Sequence, residues 1–440
     1  MTMTMRSNVP TVAALLLGYA LMQAGNTLQG TLLGVRGSLE NFTSAQVGAV
    51  GAAFWIGVVL GSLRAGWFIM RVGHARAFAA LAAVASTVPL LHLLVVDPLA
   101  WMVARAITGF CFAGLFMVVE SWLSATATPG TRGRTCSLYG MTGLVAGVSG
   151  QMLLPLGDPS GFGLFGVVAV IIGMALVPTA LTRTGPPGRA AGGTRIDLKG
   201  LHASSPFGVL AAVLCGITTG SFYALGPVFA RAHGLDASGI AIFMACGTLG
   251  GFAMIWPLGW LSDRIDRRVV IIGMASIAAT ILFGFAILVP ERPAAWVVYL
   301  CVAILGGSVI PTYSIVAAHV NDTVRSGGFV AASGGLLILH GAGSALGPVA
   351  SGLAMGLFGT PGLIYTIIAA QAAMALWGTY RIRCRPAPLE GGKAVFRPAP
   401  VVPVGTGLAA GYRAPRRPPV ADAAFHQPGA GSRIAPACRT

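Results

Sequence analysis

The chain has 440 residues, 55% hydrophobic and 9% charged, with a mean hydropathy of +0.80 and a formal net charge of +16 at pH 7. Such a composition excludes a domain bathed by water on every side, since soluble domains carry about 25% charged residues. The positive balance does not point to nucleic acid, because Lys and Arg stand in short clusters between apolar runs and in the last sixty residues, where they act as topology signals.

From the N-terminus, Arg6 precedes an apolar run from Thr11 to Leu33. It is too long for the apolar region of a signal peptide and lacks a small-x-small cleavage site, so it is expected to persist as a first span. Runs of about 20 apolar residues match a hydrocarbon core of roughly 30 Å. Apolar runs between Gly, Pro and charge breaks predict spans near 11–33, 44–70, 77–96, 99–123, 134–156 and 162–182, then 206–230, 237–262, 269–290, 294–318, 327–355 and 361–380. That is an all-α membrane protein of twelve transmembrane helices, six and six.

The expected organisation is a cytoplasmic N-terminus (1–10), an N-terminal six-helix bundle (11–182), a cytoplasmic linker (183–205), a C-terminal six-helix bundle (206–380) and a tail (381–440). The tail is rich in Pro, Gly, Ala and Arg without apolar periodicity and is expected to be disordered. With the N-terminus inside, the cytoplasmic segments hold thirteen basic residues: Arg6, Arg71, Arg76, Arg132, Arg134, Arg183, Arg189, Arg195, Lys199, Arg264, Arg267, Arg268 and Arg325. The opposite loops hold three, Arg36, Arg231 and Arg292, a bias that predicts both termini in the cytoplasm. The seven cysteines form no C-x-x-C pair and read as small hydrophobes, with no metal site.

After the second span stands Gly66-Trp-Phe-Ile-Met70-Arg71-Val-Gly73-His74-Ala-Arg76, and after the eighth Gly259-Trp-Leu-Ser-Asp263-Arg264-Ile-Asp266-Arg267-Arg268. Gly, Trp and Arg recur at identical offsets, an internal repeat expected when two bundles move against each other around a central site. The fourth span carries Arg105-Ala-Ile-Thr-Gly109 and then Val118-Val-Glu120-Ser-Trp-Leu, followed by Thr131-Arg132-Gly133-Arg134.

Over residues 10–380 this pattern resembles the major facilitator superfamily, whose loop signature is G-x-x-x-D-R-x-G-R-R and whose fourth span carries R-x-x-x-G. Met70 stands where that signature has Asp, which weakens the carry-over of that position's latch role. With the Met70 departure, the fourth-span and Arg-Gly-Arg features look like the YcaD-type branch of bacterial inner-membrane facilitators. The resemblance implies two pseudo-symmetric six-helix bundles whose first, fourth, seventh and tenth spans line a central cavity.

Gln23, Asn26 and Gln29 fall at i, i+3 and i+6 on the first span, along one rough face that should point inward, because amides are costly against lipid. Ser221, Tyr223 and Tyr313 fall on two of the implied lining spans, and His340 on the eleventh is a further cavity candidate. Arg105 either snorkels outward or faces the cavity, and the resemblance favours the cavity; Arg64 should snorkel. Arg71, Arg76, Glu120, Arg132 and Arg134, with Gly66 and Gly73, are placed for a gate cluster, and Gly259, Asp263, Arg264 and Arg268 for its counterpart. Topology alone would need the arginines but not Asp263 or Glu120. Glu120, an acid inside an apolar run, is also a proton-coupling candidate.

Gly140, Gly143, Gly147 and Gly150 on the fifth span, and Gly341, Gly343, Gly347 and Gly352 around Pro348 on the eleventh, predict close helix packing or a gating role. The eleventh-span run is similar to a glycine-rich motif that antiporters carry in the fifth, whereas the fifth span here has only Gly140, Gly143, Gly147 and Gly150, so antiport does not follow. No phosphate-binding G-x-x-x-x-G-K-[ST], H-E-x-x-H or G-x-S-x-G occurs, which argues against ATP drive within this chain and against an enzyme. The leading expectation is a secondary or facilitated transporter working by alternating access; the alternative is a sensor or scaffold that keeps the fold. Expected partners are a small-molecule substrate, the lipid bilayer and, as an open choice, a coupling proton or ion, with no cofactor and no nucleic acid. Two intramembrane arginines against one glutamate lean toward anionic or zwitterionic solutes, while the Tyr, Trp and Met content would equally suit amphipathic drugs.

Overall fold

The computed structural model describes residues 9–128, 130–181, 197–288, 293–324 and 329–384. Most of the predicted linker (183–196), Arg6, Arg292, Arg325 and residues 385–440 of the tail lie outside the described residues. The helices are Val9–Leu39 (α1), Ser44–Val72 (α2), His74–Leu94 (α3), Pro98–Thr126 (α4), Arg132–Met152 (α5), Gly163–Met174 (α6), Leu176–Ala180 (α7), Leu198–Ser204 (α8), Pro206–Ala232 (α9), Ala237–Arg264 (α10), Arg267–Leu288 (α11), Ala295–Thr323 (α12), Phe329–Phe358 (α13) and Pro361–Cys384 (α14). The described residues contain no strand.

Local chemistry sets several helix starts. Thr43 and Gln46 cap α2 reciprocally, while Asp97, Asp197, Asp236 and Ser205 each accept a backbone N–H three residues on, capping α4, α8, α10 and α9. Three of the chain's few acids are thereby explained as caps. The turn from α2 to α3 passes through Gly73 at φ +89°, a conformation in which a side chain would be strained.

Among the described residues eleven helices are long and apolar enough to cross a membrane. The predicted fifth span, α5, has the length but not the composition, and the reason is where it packs: its Gly- and Tyr-bearing face turns onto α1 and inward. The predicted sixth span is two helices, α6 and α7, because Pro178 has no N–H to offer the Met174 carbonyl. Burial separates central from peripheral helices, since α4 buries 67% of its most apolar window and the α6–α7 span only 33%. Large apolar side chains such as Trp256, Leu288, Leu357 and Leu376 are exposed on the outside, a surface that needs lipid as its solvent.

The two halves are built alike. In the first, α2 and α4 approach so closely that a Cβ on Gly57 or Gly109 would overlap the Ala106 or Phe54 carbonyl; in the second, Gly250 and Gly306 do the same between α10 and α12. The α1–α5 contact at Gly150 has its counterpart in α9–α13, where Gly343 and Gly347 lie on the Val213 and Ile217 carbonyls.

Between halves, α2 packs on α13, α1 on α9 and α5 on α10. The closest of these contacts gather where α1 ends and α2 begins. A Cβ on Gly48 would overlap the Pro348 carbonyl, Gly352 lies against the backbone of Ser44, and Gly34 faces the Pro227 ring. At the same end Arg231 donates to Ser38 Oγ at 2.9 Å and to the Val35 carbonyl at 3.3 Å. Arg36 pairs with Glu40 at 2.6 Å, so two of the three arginines on this side serve as local ties.

Candidate functional site

A cavity lies between the halves. From the first half its wall takes Tyr19, Gln23, Asn26, Thr27 and Thr31 of α1, Phe54 and Trp55 of α2, Trp101 and Arg105 of α4, and Tyr139, Gly143, Gly147 and Gln151 of α5. From the second it takes Thr219 and Tyr223 of α9, Thr248 and Phe252 of α10 and Ile310 of α12. Its volume is about 130 Å³, room for about four waters at roughly 30 Å³ each. That is the scale of a small organic solute. The wall is polar chiefly on the first half and aromatic on both.

Of the predicted cavity residues, Gln23, Asn26, Arg105 and Tyr223 line this space. Four others lie elsewhere. Gln29 is fully buried away from the wall, because six residues leave a helix 120° short of alignment with Gln23 at 3.6 residues per turn. Ser221 accepts a hydrogen bond from Ser351 at 2.8 Å and donates to the Ile217 carbonyl, so it fastens α9 to α13. His340 sits behind the wall between two rings, 4.6 Å from Tyr313 and 5.9 Å from Trp55. Trp55 alone of the three reaches the cavity, and the stack crosses from one half to the other.

Gly143 and Gly147, expected as packing positions, line the cavity as well, with the Tyr19 hydroxyl standing over Gly143. Tyr19, Thr27, Thr31, Tyr139, Gln151 and Thr248 escaped the sequence reading. Their signal was present: Tyr19, Gln23, Thr27, Gly30, Thr31 and Gly34 recur every three or four residues, as do Tyr139, Gly143, Gly147 and Gln151, two small-and-polar stripes facing each other.

Residues 15–339 match the Major Facilitator Superfamily. The chain belongs to that superfamily. An uncharacterized MFS-type transporter of Enterobacter sp. (strain 638) is 30% identical over 376 residues, spanning 83% of this chain and 94% of the relative. YcaD of Escherichia fergusonii, also an uncharacterized MFS-type transporter, is 27% identical over 367 residues with the same coverage. Among solved structures, the nucleoside transporter NupG superposes with a TM-score of 0.71 at 13% identity, covering 88% of this chain and 100% of NupG. A bacterial homologue of the human lysosomal transporter Spinster, inward-facing and unoccupied, gives 0.66 at 16% identity, covering 84% and 96%. These last two similarities show the fold alone. The protein is a multi-pass membrane transporter rather than an enzyme.

The superfamily's repeated loops have a common physical core here. Arg71 lies 5.3 Å from the Trp67 ring and Arg264 lies 3.6 Å from the Trp260 ring, the same i, i+4 cation–π pair in both halves. The halves then diverge. In the second, Arg267, which sequence reasoning did not single out for the gate, is 2% exposed and binds Asp322 at 2.7 Å and Asp263 at 3.1 Å, and donates to Ser262. This ties the end of α10, the start of α11 and the end of α12. Arg268 pairs with Asp266 at 2.7 Å. Burial alone would raise the Asp266 carboxyl, but hydrogen bonds from the Arg268 side chain and backbone outweigh it and hold the group below its ordinary value. In the first half Met70 and His74 occupy the positions of Asp263 and Arg267, and a His74–Trp122 ring contact at 6.3 Å stands in place of ion pairs.

Glu120 is not paired with the neighbouring loop arginines. It is 1% exposed between α4 and α5, where Tyr139 donates to its Oε1 at 3.1 Å while Oε2 has no partner. Tyr139 in turn stacks on Tyr19 with ring centres 4.2 Å apart, and both tyrosines line the cavity. Arg71, Arg76 and Arg134 are exposed. Tyr139→Phe should lower stability by about 1–3 kcal/mol, because it leaves a buried carboxyl without its hydrogen bond. The measurement is thermal unfolding in detergent, and a melt unchanged from the parent would show that this bond holds nothing.

Proposed function

We propose that this chain moves a small polar solute across a bacterial inner membrane by alternating access, its two six-helix halves rocking about the shared cavity. One observation carries the reading: the cavity wall is drawn from both halves, while the closest contacts between halves lie at one end of it. A site built across such a seam must open or close when the halves tilt. By the excess of Arg and Lys on the opposite loops, the sealed end faces the periplasm and both termini lie in the cytoplasm. The conformation is then inward-facing. The exposed Arg71, Arg76 and Arg134, with Arg132, face Asp263, Arg264 and Arg268 when the cytoplasmic end closes, and charge pairing with Asp263 there shifts the balance of states. A proton exchanged at Glu120 through Tyr139 and Tyr19 is the coupling step this geometry offers.

The test is uptake into proteoliposomes. The purified full chain is presented with the small-molecule fraction of a bacterial extract, and retained solutes are quantified by mass spectrometry. At least one solute should accumulate over protein-free vesicles. In the double variant Gly34→Cys/Pro227→Cys, whose Cβ atoms would stand about 3.2 Å apart across the sealed end, oxidation should stop that accumulation and reduction restore it, because the bridge locks the two halves together. Uptake that persists in the oxidised form would sink alternating access, and no uptake of any solute would sink this transport mode altogether.

A further inference from the structure

The cavity holds a fixed positive charge that nothing described neutralises. Arg105 is 6% exposed, its guanidinium carbon lies 4.3 Å from the Phe54 ring centre, and its buried NH1 has no hydrogen-bond partner. None of the ion pairs among the described residues includes it, and none of the residues lining the cavity is Asp or Glu. Glu120, the acid on the same helix, stands fifteen residues further on, about 22 Å along the axis. Arg64, the other intramembrane arginine, is exposed and outside the lining, so the cavity's charge rests on Arg105.

A guanidinium taken out of water without a counter-ion is costly, and a ring face offsets only part of that cost. A planar fork of N–H donors suits a carboxylate or phosphate. Two further orphan groups refine the match. Gln23 and Gln151 each carry a buried side-chain oxygen without a partner, on the α1 and α5 walls of the same cavity. Orphan oxygens are satisfied by donors on a ligand, as the orphan guanidinium nitrogen is by an anion.

Resting on the transport reading above, we infer that Arg105 anchors the anionic group of the transported solute, a small organic anion that also bears hydroxyl or N–H donors for Gln23 and Gln151. Cations are repelled from the same cavity.

The test reads the charge of the cavity directly and needs no known substrate. In the full chain, Asn26→Cys places a thiol on the cavity wall, with Thr219→Cys as a second vantage from the other half. The native cysteines are kept and the parent's reactivity is subtracted. Modification rates with anionic sulfonatoethyl methanethiosulfonate and cationic trimethylammonioethyl methanethiosulfonate are each normalised to a free thiol in solution. The normalised ratio should favour the anion by about tenfold or more, the lower range of electrostatic focusing in a cleft. Arg105→Gln should bring it to about one, and Arg105→Lys should preserve it. A ratio at or below one in the parent background, or one unmoved by Arg105→Gln, overturns the assignment. So does a set of solutes in the vesicle assay that is neutral or cationic at the assay pH. A preserved ratio with no uptake would overturn the transport mode and leave the anion site standing.

Discussion

Replacing Arg267 by Ala should destabilise the protein by about 3–5 kcal/mol, the cost of leaving a buried acid without its counter-ion. Arg267 and Asp322 have side chains 1% and 4% exposed and meet at 2.7 Å, so solvent screens them little. Three helix ends converge on this guanidinium, and the loss should appear as an early thermal transition in detergent. Arg264→Ala, which removes only an exposed cation on the Trp260 ring, should cost about 0.5–1 kcal/mol. A joint Arg267→Met/Asp322→Leu variant should recover most of the lost stability, because apolar side chains of similar volume replace a buried pair with little penalty. Equal melts for Arg264→Ala and Arg267→Ala would refute the assignment of the cluster's centre to Arg267.

Gly48→Leu should reduce solute uptake at least tenfold. The new side chain has no room against the Pro348 carbonyl, and overpacking of this kind costs about 1–3 kcal/mol. Because the crowded neighbour belongs to the other half, the penalty falls on the state in which this end is closed and shifts the population away from it. Labelling of a Ser38→Cys thiol by a membrane-impermeant maleimide should therefore rise in the Gly48→Leu background. Gly57→Leu is the contrast: Gly57 meets Ala106 within one half, in every state, so that variant should lose folded protein rather than change labelling. Unchanged uptake and unchanged labelling with Gly48→Leu would mean that the α2–α13 contact does not gate.

Much of the candidate site is legible as helical periodicity, carried by small and aromatic residues as much as by strongly polar ones. On α1 the strongly polar residues are Gln23, Asn26 and Gln29, while the wall also includes Tyr19, Thr27, Gly30 and Thr31, residue types that serve ordinary helix packing. On α5 the glycines looked like packing positions, and several are also the floor against which cavity side chains stand. The second half misled in the other direction. Ser221, Tyr313 and His340 have the polarity of ligand contacts, but Ser221 is held by Ser351 of α13, Tyr313 and His340 meet ring to ring, and His340 shares a hydrogen bond with Ser344 one turn along its own helix.

By itself the sequence determined the solvent, the class of element and the family. Long apolar runs admit only lipid outside and helices within, since backbone groups in hydrocarbon must be satisfied inside one segment, and the repeated Gly-Trp-Arg loops marked two related halves. Only the tertiary structure decided which polar side chains share a space, that Arg105 meets none of the described acids, that Arg267 rather than Arg264 or Arg268 is the buried centre of its loop, and that Glu120 answers to Tyr139. The reason is physical. Helical periodicity records which face of one helix avoids lipid, but whether that face meets a cavity, a counter-charge or another helix depends on the position and rotation of neighbours distant in the chain.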